Sequence, residues 1–133
     1  MHVTLRVLLV ATAVLAGCGR SQRPAEPAVG QRVADAFLAQ VRAGQLDAAW
    51  QSTTAEFKSD EGRESFIRDV KARPLVRGPL NFVSYDVTDL NGLKRGQCIY
   101  ESAAVDKKAP GGRVRVVVAQ DAGEWRVEGI FFE

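Results

Sequence analysis

The side chains that most often carry catalysis or bind metals are scarce in this sequence. Its 133 residues include one histidine, His2, and two cysteines, Cys18 and Cys98. Serine and cysteine nucleophiles are commonly activated by a histidine base, and the usual zinc sites are built from histidine and cysteine. Cys98 lies in a predicted strand, with no helix start nearby to lower its pKa, and we expect it to be buried. The sequence therefore predicts no histidine-dependent catalytic site, no metal site and no cofactor.

Acid–base chemistry would then depend on carboxylates and tyrosines. Glu101 alternates in phase with Ile99, Ala103 and Val105, so these four residues share a mostly apolar strand face. Burial on that face would raise the pKa of Glu101 toward the range of a useful general base. The alternative, which the sequence favours, is that Glu101 lies near a strand edge or pairs with an arginine.

The start of the chain has the composition of an export signal. Arg6 supplies a positive charge, and the apolar run at residues 7–15 is too short to span a bilayer as a helix, which takes about 20 residues. The run ends in Leu15-Ala16-Gly17-Cys18, which resembles the lipobox of bacterial lipoprotein precursors. This resemblance implies that residues 1–17 are removed and that the Cys18 thiol carries diacylglycerol. An uncleaved anchor helix and an ordinary signal peptide are the alternatives.

Removal of the leader would change the chemistry left in the chain. The histidine would be lost, and lipid on Cys18 would leave Cys98 without a partner for an internal disulfide. The net charge of the whole sequence is only +2, which excludes a strong electrostatic attraction to nucleic acid. Residues 18–28 contain two prolines and no apolar period, so they predict an extended tether between lipid and domain.

From residue 29 the sequence becomes periodic. Val29, Val33, Phe37 and Val41 recur every four residues and predict an amphipathic helix. Gly44 is placed to end this helix in the left-handed conformation, which glycine adopts at little steric cost.

Two shorter helices are predicted next. Asp47 is placed to cap a helix that runs through Trp50, because its carboxylate can accept free amide hydrogens of the first turn. Residues 59–61 (Ser, Asp, Glu) offer a cap and negative charge for a third helix, which Pro74 limits. Phe57 falls in a looser segment between them. The inward face of the third helix is predicted to consist of Phe66, Ile67 and Val70.

After Pro79 the apolar period falls to two. Alternation of Val83, Tyr85 and Val87 predicts a strand with one covered face, followed by a turn at Asn91-Gly92. Three further strands are predicted at about residues 97–105, 113–120 and 124–132, separated by turn-forming residues. The last strand has Trp125, Val127 and Phe131 in phase across Gly129, where a bulge is expected.

Helices followed by four strands predict an α+β domain over residues 29–133, with N-terminal helices packed on a curved antiparallel sheet. Several short stretches repeat features of a known superfamily; these are Ala36-Phe37-Leu38, Ala43-Gly44-Gln45-Leu46-Asp47-Ala48-Ala49-Trp50, Thr54 with Phe57-Lys58, and Gly123-Glu124-Trp125-Arg126-Val127. In these stretches and in element order, the chain resembles the nuclear transport factor 2-like (cystatin-like) superfamily of cone-shaped domains, and in particular its small bacterial lipoproteins.

Members of that superfamily often enclose a pocket between the helices and the concave sheet face. The resemblance implies that Trp50, Phe57, Tyr85 and Tyr100 line such a pocket here, with Glu101 as its carboxylate. The alternative is that these aromatic residues fill the core, as aromatic residues at helix and strand periods usually do.

The function expected from the sequence is therefore non-catalytic. We expect a lipoprotein of the cell envelope that is anchored by lipid. The residue after Cys18 is Gly19 and not aspartate, which in bacterial lipoproteins favours the outer membrane, with the domain facing the periplasm. Its domain would bind a small apolar ligand or an envelope protein, and the outer face of the sheet could form a homodimer. The alternatives are an isomerase or hydrolase that uses a pocket carboxylate, and a purely structural assembly factor.

Overall fold

The computed structural model describes residues 28–103 and 111–133 of the chain. Helices precede strands, which confirms the predicted α+β class. The expected leader, Cys18 and most of the expected tether lie outside the described residues, as does Val105. The elements are α1 Val29–Arg42, α2 Leu46–Gln51, α3 Ala55–Asp60, α4 Arg63–Lys71, a 3-10 helix Pro74–Arg77, β1 Asn81–Leu90, β2 Leu93–Ser102, β3 Gly112–Asp121 and β4 Glu124–Phe132.

The end of α1 is set by a local signal that the sequence already carried. The helix ends at Arg42, and Gly44 follows with a φ of +76°, which confirms the predicted left-handed stop. Its buried face includes Phe37, Leu38 and Val41, as the period of four predicts. Val29 differs from the prediction, because it is 48% exposed at the first position of the helix.

Both predicted carboxylate caps are wrong. Asp47 lies inside the first turn of α2, and its carboxylate accepts a hydrogen bond from Nε of Arg63. The predicted third helix begins at Arg63 as α4, with Gly62 at its cap position and no side-chain cap bond from residues 59–61. Thr54 instead caps α3, where its Oγ1 accepts from the backbone nitrogen of Phe57 at 3.1 Å. Since α3 begins at Ala55, Phe57 lies in a helix and not in the looser segment that was predicted. Ser59 and Asp60 fall within the same helix. Extended backbone at Glu61 then separates α3 from α4.

The four strands form one antiparallel sheet in the order β1-β2-β3-β4. The β1–β2 hairpin closes at Asn91 and Gly92, with φ values of 58° and 82°, the backbone that a tight two-residue hairpin turn requires. Gly92 donates its backbone N–H to Oδ1 of Asp89 at 2.9 Å. The turn confirms the prediction at Asn91-Gly92, and because it is so short β2 already begins at Leu93.

Two register shifts decide which side chains face the helices. In β4 the shift opposite Val117 and Val118 makes Glu128 an extra residue. The phase changes there, so Ile130 and Phe132 pack on the core while Phe131 is 45% exposed on the other face. The predicted phase for Phe131 is therefore wrong.

In β1 the shift lies between Phe82 and Ser84, which makes Val83 the extra residue. Tyr85 faces the helices opposite Cys98, while Val83 and Val87 remain exposed. The predicted covered face of this strand is only partly covered. The reason is that α1 packs mainly on β3 and β4 and leaves the edge strand β1 thinly covered.

Aromatic and β-branched side chains close the core between the two layers. Phe66 of α4 packs against the rings of Phe37 and Phe57, with centroids 6.1 and 5.9 Å apart. The helical layer is also held to the sheet by a backbone bond from Thr54 nitrogen to the Val127 oxygen at 2.9 Å. The sheet side of the core is formed by Cys98, Tyr100, Val114, Val116, Val118 and Val127.

The ring of Tyr85 fits between two glycines. A Cβ on Gly96 would lie 2.5 Å from Cε2 of Tyr85, and a Cβ on Gly30 would lie 2.1 Å from its hydroxyl oxygen. We expect Gly96→Ala to destabilise the protein by about 1–3 kcal/mol, because the ring must leave its position in a filled core. Chemical denaturation measures the loss, and Gly78→Ala, whose new Cβ would lie 3.9 Å from its nearest neighbour, is the control.

A second variant tests the cause of that loss. In a Tyr85→Ala background the alanine at position 96 meets no ring, so its cost should fall toward zero and the two changes should be coupled. Additive losses in the double mutant would show that the ring does not require Gly96.

Candidate functional site

The aromatic residues expected to line one pocket lie in two separate places. Trp50 and Phe57 belong to the helical layer, where the indole Nε1 of Trp50 donates to the backbone oxygen of Glu61 at 3.1 Å. Phe57 is buried with its ring edge on Phe66. Tyr85 and Tyr100 instead project from the sheet beneath α1.

Tyr85 and Tyr100 form a tyrosine–thiol cluster with Cys98 and Asp35 of α1. The hydroxyl of Tyr100 donates to Oδ1 of Asp35 at 2.5 Å. Burial is the main cause that raises the pKa of Tyr100, and the hydrogen bond to Asp35 raises it further. Burial also raises the pKa of the Cys98 thiol to about 12. Both groups are therefore protonated at neutral pH, and the thiol is not a nucleophile there. The cluster joins the first helix to the sheet.

Glu101 lies on the outer face of the sheet, away from the helices. Cys98 and Tyr100 take the covered side of β2, so alternation turns Glu101 outward. Its Oε1 accepts from Nη2 of Arg113, the residue directly opposite on β3, at 2.8 Å. The expectation that Glu101 is the carboxylate of an enclosed pocket is therefore wrong, and the arginine pairing given as the alternative is present. The hollow beside Glu101, about 460 Å³, is wide open to solvent.

A different pair of carboxylates lies in a cleft between the helical layer and the end of β4. Glu61 enters it from the corner between α3 and α4, Asp69 from α4, and Arg73 from the segment after α4. Phe131 and Phe132, at the end of β4, line it on the sheet side. We call this group of five residues the carboxylate cleft, and its volume is about 230 Å³.

Glu61 and Asp69 interact with each other and with nearby arginines in the carboxylate cleft. Burial raises the pKa of Glu61, and the charge and hydrogen bonding of Asp69 raise it further, while the charge of Arg68 lowers it. Asp69 pairs with Nε of Arg68 at 3.5 Å on the exposed side of α4. The guanidinium of Arg73 stacks on the ring of Phe132, with Cζ 4.5 Å from the centroid. Two neighbouring carboxylates can accept hydrogen bonds from an ammonium or guanidinium ligand.

The raised pKa of Glu61 has a consequence for stability. A carboxyl group with a higher pKa in the folded protein stabilises it most below the ordinary pKa of 4.5, and this contribution is lost as pH rises through the folded value. We expect Glu61→Gln to become more stable relative to the unchanged protein as pH rises from about 4 to 7. Thermal unfolding across that range measures the trend. Glu56→Gln, at an exposed position on α3, is the control, and parallel curves for all three proteins would contradict the assignment.

The sequence did not point to Glu61, Asp69, Arg73 or Asp35 as members of any site. Glu61 is predicted as part of a helix cap, Asp35 and Asp69 have the ordinary pattern of exposed helix positions, and Arg73 follows the predicted third helix among other basic residues. One signal was present in the sequence. Gly62 follows Glu61 and separates α3 from α4, so Glu61 lies at the corner between the two helices, in the same cleft as Asp69. Asp35 meets Tyr100 across 65 residues of sequence, a contact that no local pattern predicts.

Within residues 28–103 and 111–133, no three histidine, cysteine, aspartate or glutamate side chains gather closely enough to hold a metal ion. In the same part of the chain, no helix combines the length and apolar composition needed to cross a bilayer. The sequence matches no protein-family model and no curated protein.

Proposed function

We propose that this chain is a membrane-anchored lipoprotein of the bacterial envelope, whose α+β domain binds a protein partner without catalysing a reaction. The support for the anchor is the motif that ends at Cys18, together with a helix that starts at Val29. Residues 18–28 would then reach at most about 35–40 Å when fully extended, which keeps the domain near the lipid. The resemblance to nuclear transport factor 2-like lipoproteins agrees with this arrangement.

The carboxylate cleft is the observation that carries the binding proposal. Its volume of about 230 Å³ is below the roughly 300–1,000 Å³ of pockets that hold drug-sized molecules, so it suits one long side chain. A small apolar ligand would meet Glu61, Asp69 and Arg73 there, which would have to lose water without gaining polar partners. A lysine or arginine of a partner protein can satisfy the carboxylates with charge-assisted hydrogen bonds. We therefore propose a partner that presents a basic side chain.

The close packing of side chains between the helices and the covered face of the sheet supports a non-catalytic role. The covered face of β3 consists of Val114, Val116 and Val118, all completely buried in the core. The enzyme alternative is favoured by a single feature, the raised pKa of Glu61, so an isomerase or hydrolase of this fold would use Glu61 and not Glu101 as its base. Turnover of a small molecule that Glu61→Gln abolishes would establish that alternative.

Affinity capture of the full-length protein from detergent-solubilised membranes tests the binding proposal. The double variant Glu61→Gln with Asp69→Asn keeps the size of the cleft and removes both charges. We expect it to recover the partner at least about tenfold less well, because each bond to a charged group contributes roughly 1.5–3 kcal/mol.

Glu101→Gln is the matched control, because it removes a carboxylate from the opposite face of the sheet. It should recover the same protein as the unchanged chain. Equal recovery with the double variant would show that the partner does not use the cleft.

A further inference from the structure

The exposed apolar side chains gather on β1 and on the turn that follows it. Leu90 and Leu93 are 66% and 68% exposed and face each other across the Asn91-Gly92 turn. We call residues 90–93 the leucine tip. Val83 and Val87 are further exposed apolar side chains of the same edge strand. Single exposed leucines are ordinary, but two leucines paired at the tip of a hairpin, on a strand with further exposed apolar side chains, are typical of an interaction surface.

The chain enters the domain at the same end of the sheet. Gly30, in the first turn of α1, lies against Tyr85 and Val118. Val118 pairs with Gly96, which is close to the leucine tip along β2. Asp35, further along α1, reaches Tyr100 near the other end of that strand. The helix therefore runs away from the leucine tip, and the N-terminal segment that precedes Ala28 leaves from the tip end.

The chemistry around the leucine tip suits the boundary between lipid headgroups and acyl chains. Lys94 follows the second leucine, and its long side chain can place an ammonium at the level of lipid phosphates while the leucines enter the apolar layer. Asp89, the nearest acid on β1, is engaged by the backbone N–H of Gly92. Val29 adds a half-exposed apolar side chain where α1 begins.

We propose that the leucine tip docks into the surface of the bilayer that holds the lipid anchor, an inference that rests on the proposed function. The docked domain then stands with β2 pointing away from the membrane. The carboxylate cleft uses the last residues of β4, which pair with Val114 and Arg115 toward the far end of the sheet. Those residues lie roughly 20–25 Å from the leucine tip, given about 3.4 Å per strand residue. Docking therefore turns the cleft toward a partner in the periplasm.

A fluorophore at the leucine tip tests this inference on the full-length lipidated protein. Leu93→Cys is labelled with an environment-sensitive dye and the protein is reconstituted into vesicles of phosphatidylethanolamine and phosphatidylglycerol in a 3:1 ratio, about that of a bacterial membrane. Cys98 stays unlabelled, because it is buried and the pKa of its thiol is raised to about 12. Ala103→Cys, exposed just beyond the far end of β2, is the matched control.

Docking predicts blue-shifted emission at position 93 that lipid-borne quenchers reduce, and water-like emission at position 103. Adding Leu90→Asp should abolish the shift, and Lys94→Gln should lower the ratio of docked to undocked protein about fivefold on anionic vesicles. Water-like emission at both positions in protein that floats with the vesicles would overturn docking alone. Protein that does not float would overturn the anchor and docking together. Dye–dye quenching between copies, without any effect of lipid-borne quenchers, would show that a second copy covers the tip and would also overturn docking.

Discussion

Replacing Cys18 with serine is expected to remove essentially all lipid from the protein and to release it from the membrane fraction. In the proposed lipoprotein, the hydroxyl of serine cannot take the place of the thiol that would receive diacylglycerol. Each buried methylene contributes about 0.8 kcal/mol of membrane affinity, so the loss of two or more acyl chains removes stable anchoring. Labelling cells with radioactive palmitate, followed by membrane fractionation, measures both effects.

The control for this experiment is Cys98→Ser, because Cys98 is the only other cysteine of the chain. It should keep palmitate and membrane retention, since a buried thiol takes no part in anchoring. Mass spectrometry of the unchanged protein should find an acylated chain that starts at residue 18. An unmodified chain that retains its first methionine would contradict the anchor, the envelope location and the orientation proposed for the leucine tip.

Phe66→Ala is expected to cause the largest loss of stability among single substitutions of the described core. Phe66 is 1% exposed, and its ring contacts Phe37 of α1 and Phe57 of α3, so its removal leaves a cavity where three helices meet. Creating a cavity of this kind typically lowers the free energy of unfolding by about 3–5 kcal/mol, and the total stability of a domain is roughly 5–15 kcal/mol. Denaturant unfolding followed by tryptophan fluorescence measures the change.

Phe131→Ala is the matched comparison for that loss. The same atoms are removed, but Phe131 is 45% exposed and its ring stacks on the guanidinium of Arg115, with Cζ 4.6 Å from the centroid. We expect a loss of about 1 kcal/mol or less. Equal losses for the two variants would show that the ring contacts of Phe66 do not hold the helical layer together.

Features that depend on the backbone of a few neighbouring residues could be predicted from the sequence. Gly44 ends α1, and Asn91-Gly92 closes a hairpin, because those positions need φ values that other residues rarely adopt. The bounds of β4 were predicted closely, because turn residues border an apolar segment. The class of the domain followed from the change of apolar period after Pro79. Each signal is complete within about ten residues of chain.

The position of a side chain relative to the core was predicted less well. Glu101 and Ile99 do share a face, as the alternation predicts, but helix packing covered the face of Cys98 and Tyr100 instead. Phe131 left the predicted face because the extra residue at Glu128 reversed the alternation. A strand pattern has period two, so it assigns residues to two faces without saying which face is buried, and one bulge exchanges them.

By itself, the sequence determined the α+β class, the tight turns, the absence of histidine beyond residue 2 and a motif that predicts a lipid anchor. Tertiary structure alone decided that Glu61, Asp69 and Arg73 share a cleft with the end of β4, and that the leucine tip lies at the end where the chain enters. The physical reason is the range of the interactions. Local backbone preferences are encoded by adjacent residues, whereas the clefts and exposed edges result from how the helices pack on a sheet whose strands come later in the chain.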